Sequence, residues 1–263
     1  KLKVLVLDSS TIKKKFNFKK FLNLEIIYKK FKKDIYFAKK IYSGVKTVKT
    51  KYLLLCADDD FVIPNCMSMC INFLEKNNKY VACRGYFLQH SKSNKFYQKM
   101  NYNLLYKNNF SCENSYSFER CNEYLMGKKS NFFYSIIRTR TSNKIWKFIS
   151  TKVTGGIALE TFKSFLIYYF GKVKVLNYFY SSREATDETT LVTPKYYEKF
   201  LSKENIDGIF SSLVPYLGKR RINNKHISHF KNKIQIYKKQ RMLTTKKNFF
   251  SKYLEIIYKK IYT

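Results

Sequence analysis

The sequence predicts an α/β fold: a Rossmann-type sheet with flanking helices, followed by a basic helical C-terminal tail. Three observations predict it. Apolar runs of strand length recur at residues 1–7, 51–57 and 172–180. Segments with helical spacing of apolar residues follow Pro64 and the Gly155-Gly156 pair. Two strand candidates deliver acids into polar turns, Asp8 and Asp58-Asp59-Asp60, where open α/β sheets place ligands beyond the carboxyl ends of their strands.

KLKVLVL at the start reads as a buried strand ending in the turn Asp8-Ser9-Ser10-Thr11. Residues 12–42 are Lys-rich with aromatics at mixed spacing, which suits two basic amphipathic helices or a helix and an edge strand. KYLLLCA over 51–57 is a short strand closed by the three acids; Pro64 then suits the first helical position, and Met67, Cys70, Ile71 and Leu74 share a face. YVACRGYFL continues as a strand, and 89–117 is polar and aperiodic, a long loop with fragments of structure. FFYSII leads to Arg138 as a strand, with a short helix over 144–150. After Gly155-Gly156, the stripe Leu159, Phe162, Phe165, Leu166 and Tyr169 marks a helix buried on one face and ended by Gly171. KVKVLNYFY is a strand running to Ser181-Ser182-Arg183-Glu184, and Thr193-Pro194 opens another helix. The division expected is a domain over 1–218 and a basic helical appendage over 219–263; LEIIYKK occurs at both 24–30 and 254–260, too little to establish a duplication.

Composition narrows the function classes. Hydrophobic residues are 45 % of the 263 and aromatics 18 %, which excludes disorder despite a net charge of +34. No apolar run reaches the roughly 18–20 residues of a membrane span. Six cysteines without CxxC spacing read as buried small hydrophobes in a reducing compartment, so the expected location is cytoplasmic. The charge comes from 44 Lys and only 8 Arg, whereas Arg is the better residue for bidentate phosphate and base contacts. No specific nucleic acid is therefore expected. Phosphate-loop, GxGxxG, HExxH and GxSxG motifs are absent from the sequence.

The 18 acids carry more information, because three stand together at 58–60. Adjacent carboxylates repel unless a cation or donor offsets them. In an extended strand end, Asp58 and Asp60 share a face and suit a hard divalent ion, Mn2+ or Mg2+, shared with a substrate phosphate. Alternatively Asp59 or Asp60 caps the following helix, and Asp8 closes an Asx turn with Ser10 or Thr11.

LKVLVLDSS followed by KYLLLCADDDFVIPNCM resembles the nucleotide-sugar-dependent glycosyltransferases of the GT-A fold, particularly bacterial family-2-like enzymes with an Asp-x-Asp metal motif. The resemblance covers about residues 1–185. It implies a GT-A-like sheet, a nucleotide-sugar donor, and a glycan or lipid-linked acceptor. It places Asp8 at the nucleotide base and Asp58 and Asp60 on the metal that bridges the diphosphate; Ser9 and Asp59 are further candidates for binding the nucleotide sugar. Such enzymes begin with one more strand, so the amino end is expected to lack it.

Inverting sugar transfer needs a carboxylate that takes the acceptor proton. Glu160 lies beside the apolar stripe of its helix and qualifies if that edge faces a cleft; the family places an acid in a helix before a strand like Gly171–Leu176 and an Arg-Glu pair like Arg183-Glu184. Asp187 and Glu188 are the alternative bases. Arg183 is a candidate for the diphosphate or an anionic acceptor, and Arg84 for the donor. The basic tail is a candidate for peripheral contact with an anionic membrane at its inner face. The competing readings are a basic nucleic-acid or anionic-membrane binding module, and a metal-dependent nucleotidyltransferase.

Overall fold

The structure, a computed structural model, describes residues 1–11, 20–92, 100–104, 110–184, 194–218 and 223–262. The opening apolar run forms β1 (Leu2–Asp8). It pairs in parallel with β2 (Leu24–Lys30), which sets Asp8 opposite Lys30 at the strand ends. Helix α1 (Phe37–Val45) follows and packs on β1, so the described part of the stretch, residues 20–42, supplies a strand and the start of a helix.

A second, mixed sheet carries the rest of the α/β fold. Its strands are β3 (Tyr52–Leu53), β4 (Asp60–Val62), β5 (Tyr80–Lys92), β6 (Met100–Leu104), β7 (Ile136–Arg138) and β8 (Lys172–Glu184). They lie in the order β3-β7-β5-β8-β4, with β6 on β5. The two long strands, β5 and β8, run parallel at the centre, and short β4 closes one edge antiparallel to β8. That register sets Asp60 opposite Arg183.

Two strand predictions shrink. The expected strand over 51–57 holds only Tyr52–Leu53, after which the chain leaves the ladder and turns at Asp58-Asp59. FFYSIIR contributes only Ile136–Arg138, because Phe132 and Phe133 turn inward into the core instead of extending.

Helices cover the sheet: α2 (Pro64–Lys76), α3 (Ser117–Leu125), α4 (Thr139–Lys152), α5 (Gly156–Phe170), α6 (Pro194–Phe200), α7 (Lys203–Leu217) and α8 (Asn224–Tyr262). Helix α2 begins at Pro64 and buries Cys66, Cys70 and Leu74. The polar stretch after Gln89, predicted as loop, holds the end of β5, all of β6 and, from Ser117, the start of α3.

Helix α5 is the centre of the protein. Every residue from Ala158 to Tyr169 is buried except Glu160, so this helix is apolar nearly all round rather than along one stripe, as a helix surrounded by other elements must be. Phe162 and Phe165 meet Phe210 of α7, and Phe165 meets Phe230 of α8, edge to face. Each such buried side chain contributes roughly 1.5–3 kcal/mol. Gly155 precedes the helix at φ +84°, and a Cβ there would come within 2.0 Å of the Phe200 ring, so only glycine lets α6 close over the start of α5.

The first half of α8 packs on the rest of the chain. Phe230 and Ile234 of α8 are fully in the core, His229 Nε2 lies 2.9 Å from Asn122 Oδ1, and Lys231 pairs with Asp207 at 2.7 Å. Among the described residues no helix is long and apolar enough to cross a membrane.

Candidate active site

The Asp8 cluster sits at the end of the two-stranded sheet. Asp8 Oδ1 accepts from the Ser10 amide at 2.7 Å, the expected Asx turn, and Oδ2 accepts from Lys30 Nζ at 2.8 Å and from the Tyr28 hydroxyl. The Lys30 ammonium, then Tyr28, hold the Asp8 carboxyl far below the usual carboxylate range. Ser9 accepts from Lys40 Nζ at 2.8 Å. Lys30 also borders an open groove of about 570 Å³ lined with Lys32, Lys39, Tyr36 and Phe31, together with Asp34 and Ile35. A fixed carboxylate thus stands next to a basic, aromatic-lined groove of a size that suits a nucleotide.

The acidic loop lies on the second sheet. Asp58 and Asp59 occupy an exposed turn, closed by the Asp60 amide on the Ala57 carbonyl at 3.3 Å. The shared face expected of an extended strand end is therefore replaced by a turn. Asp60 begins β4 and is buried, with Arg183 Nε 3.4 Å from its Oδ1. Burial raises the Asp60 pKa, Arg183 opposes that, and Asp59 and Asp58 add to the rise. Asp60 Oδ1 has no hydrogen-bond partner among the described residues. This oxygen thus carries the Arg183 ion pair without a hydrogen bond, and a hard cation at Asp60 would have to share it with the guanidinium and take its other ligands from Asp58, substrate and water. Among the described residues, no three His, Cys, Asp or Glu side chains form a complete metal site by themselves.

Arg183 contacts Asp60 and acts on Glu160 through its charge alone. Its guanidinium also lies over the Tyr134 ring at 5.2 Å, and its charge, with those of Lys163 and Arg241, acts on Glu160. Glu160 is solvent-exposed, yet protein crowds it closely enough that desolvation is the main cause raising its pKa. Its carboxylate therefore stands at the surface in a desolvating environment.

A polar platform holds it there. Asn131 Nδ2 reaches Glu160 Oε2 at 3.4 Å, while Asn131 Oδ1 accepts from Ser164 Oγ at 2.5 Å and from the Phe133 amide at 2.7 Å. Lys163, fully buried, donates to the Phe133 carbonyl and lies 4.2 Å over the Phe133 ring. Desolvation depresses its pKa to about 7, Glu160 opposing.

The sequence-derived candidates therefore divide. Arg183 pairs with Asp60, and its charge also acts on Glu160; Asp8 and Ser9 form a second cluster on the other sheet; Asp58 and Asp59 precede Asp60 in an exposed turn. Asp187 and Glu188 lie outside the described residues. Arg84 is a correction: it lies on a central strand, not an edge, fully buried, with Ser130 Oγ at 2.6 Å, the Gly85 carbonyl at 3.0 Å and the rings of Phe87 and Phe132 around it. With no solvent access it cannot meet a donor, and it braces the 130–135 loop instead. Five cysteines are buried as expected; Cys56 is exposed, and all six are free thiols. Asn131, which contacts Glu160, carries no signal in the sequence, because a lone Asn in SNFFY forms no pattern.

Comparison with known proteins agrees at the level of family. The sequence profile described as "Glycosyl transferase family 2" matches residues 4–147, over half the chain. No curated protein sequence matches. Among 34 similar chains of solved structures is one titled "Crystal structure of S. aureus TarS 1-349", at 11 % identity and a TM-score of 0.47. The similarity covers 84 % of this chain and 56 % of that one, so the chain spans little more than half its length.

Proposed function

The chain belongs to glycosyl transferase family 2, and from that premise we propose that it moves a sugar from a nucleotide-diphosphate donor to a hydroxyl of a glycan or lipid-linked acceptor. The observation that carries the reading is the position of Glu160. It is the one solvent-exposed residue between Ala158 and Tyr169 of an otherwise buried helix, and the charge of Arg183, which pairs with the buried carboxylate of Asp60, acts on it.

The roles follow from chemistry. Glu160 takes the proton of the attacking hydroxyl; its raised pKa makes it a stronger base than an ordinary surface glutamate. Asp60, with Asp58, would hold Mn2+ or Mg2+, which supplies charge to offset the leaving diphosphate. Arg183 keeps Asp60 ionised and adds a cation beside the same diphosphate. Asp8, locked by Lys30 and Ser10, faces the nucleotide in the basic groove, with Ser9 beside it.

A panel of nucleotide sugars scored for Mn2+-dependent turnover tests class, metal and donor together. Asp60→Ala should lose the metal-dependent turnover that the unaltered chain shows. Full turnover in that variant would remove the metal assignment, and an inert unaltered chain across the panel would remove the glycosyltransferase reading.

A further inference from the structure

The segment between α3 and β7 is bonded to one face of α5. Glu160, Lys163, Ser164 and Tyr168 fall at i, i+3, i+4 and i+8 of that helix. Each of them meets the segment. Glu160 Oε2 accepts from Asn131 Nδ2 at 3.4 Å, and Lys163 donates to the Phe133 carbonyl. Ser164 Oγ accepts from the Phe132 amide at 3.2 Å, and the Tyr168 hydroxyl donates to the Ser130 carbonyl at 2.8 Å. The last three bonds hold the backbone of the segment whatever the side chain at position 131.

That frame decides which way the Asn131 amide points. Its Oδ1 accepts from Ser164 Oγ at 2.5 Å and from the Phe133 amide at 2.7 Å. A backbone N–H can only donate, so a flipped amide would set donor against donor at Phe133. Nδ2 is therefore turned to the carboxylate. Among the described residues, this bond on Oε2 is the one hydrogen bond that Glu160 makes, which leaves Oε1 open to a substrate.

We propose that Asn131 is the positioning residue of the base: its amide fixes Glu160 Oε2 and so presents Oε1 to the acceptor hydroxyl. The inference rests on Glu160 being the base. An exposed glutamate otherwise samples many rotamers, and a base works only when held within reach of the proton it takes. The donor also favours the ionised form, the form that can receive a proton. Ser164 acts one step further back, by holding the amide.

An isosteric change isolates the role. Asn131→Asp keeps an oxygen for Ser164 and Phe133 and turns a second oxygen, in place of the N–H donor, toward Glu160. The side-chain carboxyl of Glu160 is followed in the full chain by carbon NMR from pH 4 to 8, its signal assigned by its loss in Glu160→Gln. The charges of Arg183, Lys163 and Arg241 act on Glu160 in both chains. The Glu160 midpoint should rise by about one pH unit or more in Asn131→Asp, a tenfold tighter hold on the proton, because a like charge replaces a donor. In the unaltered chain the Asn131 carboxamide protons should shift with the midpoint of Glu160 and lose that step in Glu160→Gln, a measurement that needs no variant at position 131 to fold. With a nucleotide sugar that the unaltered chain turns over, Asn131→Ala should lower kcat about 10- to 100-fold at unchanged KM. Asn131→Asp should regain activity as the pH passes its raised midpoint, which a folding defect would not do. An unmoved Glu160 midpoint in folded Asn131→Asp, carboxamide protons that stay flat through the titration of Glu160, or an unchanged kcat in Asn131→Ala would overturn the proposal. Absence of turnover in the unaltered chain counts against the glycosyltransferase reading instead, and the two NMR titrations then decide the role of Asn131 by themselves.

Discussion

Lys163 offers a quantitative test of how dry the platform under Glu160 is. The residue is 1 % exposed, its amine is bonded to the Phe133 carbonyl and 5.3 Å from the Trp146 ring, and its pKa falls from an ordinary 10.5 to about 7. The unfolded chain therefore holds this proton more tightly than the folded one throughout pH 7 to 10.5. Raising the pH removes that advantage of the unfolded state, so stability rises across the window by up to about 1.4 kcal/mol per pH unit. Lys163→Met keeps the stem and removes the amine. The stability of the unaltered chain relative to Lys163→Met should then increase by about 2–3 kcal/mol between pH 7 and pH 9. Urea unfolding followed by fluorescence of Trp146, the single tryptophan and wholly buried, supplies both curves. Parallel curves, with a constant difference from pH 7 to 9, would refute the reasoning: the amine would then keep an ordinary pKa and reach water. The result bears on function as well, because Lys163 is one turn from Glu160 and its charge lowers the pKa of that carboxyl.

Other expectations are more compact. Gly155→Ala forces a side chain at φ +84° into the Phe200 ring and should cost about 2–3 kcal/mol in urea unfolding. Arg183→Ala removes the charge that opposes the raised pKa of Asp60, so Asp60 should protonate at higher pH. The acid limb of Mn2+-dependent donor turnover should move upward in a profile from pH 4 to 8. Asp8→Asn loses the ion pair with Lys30 and should raise the KM for the nucleotide sugar about tenfold with kcat little changed.

Much of this arrangement could be read from local pattern, and the exceptions have physical causes. LEIIYKK forms strand β2 at 24–30 and part of helix α8 at 254–260. Identical local preference yields opposite structures because β1 offers the first copy a parallel ladder, while the second continues a helix already nucleated upstream. The Leu159–Tyr169 stripe foretold α5 but not its burial on every side, since that depends on α7 and α8 closing over it from later in the chain. Strand β3 is shorter than its apolar run because burial of Leu54 and Leu55 does not require ladder hydrogen bonds. At the site, acids were conspicuous against a basic background, so Asp8, Asp60 and Glu160 stood out. Arg84 and Arg183 are both arginines of strand segments, and only the fold distinguishes the one sealed in the core from the one facing Asp60.

The central claim is that Glu160 removes the acceptor proton, and Glu160→Gln tests it most directly. The amide preserves size and the contact with Asn131 while abolishing the base. With a donor and acceptor pair established for the unaltered chain, the account predicts unchanged nucleotide-sugar affinity and a fall in transfer of about 10²- to 10⁴-fold. Transfer within tenfold of the unaltered chain would contradict it and move the base elsewhere.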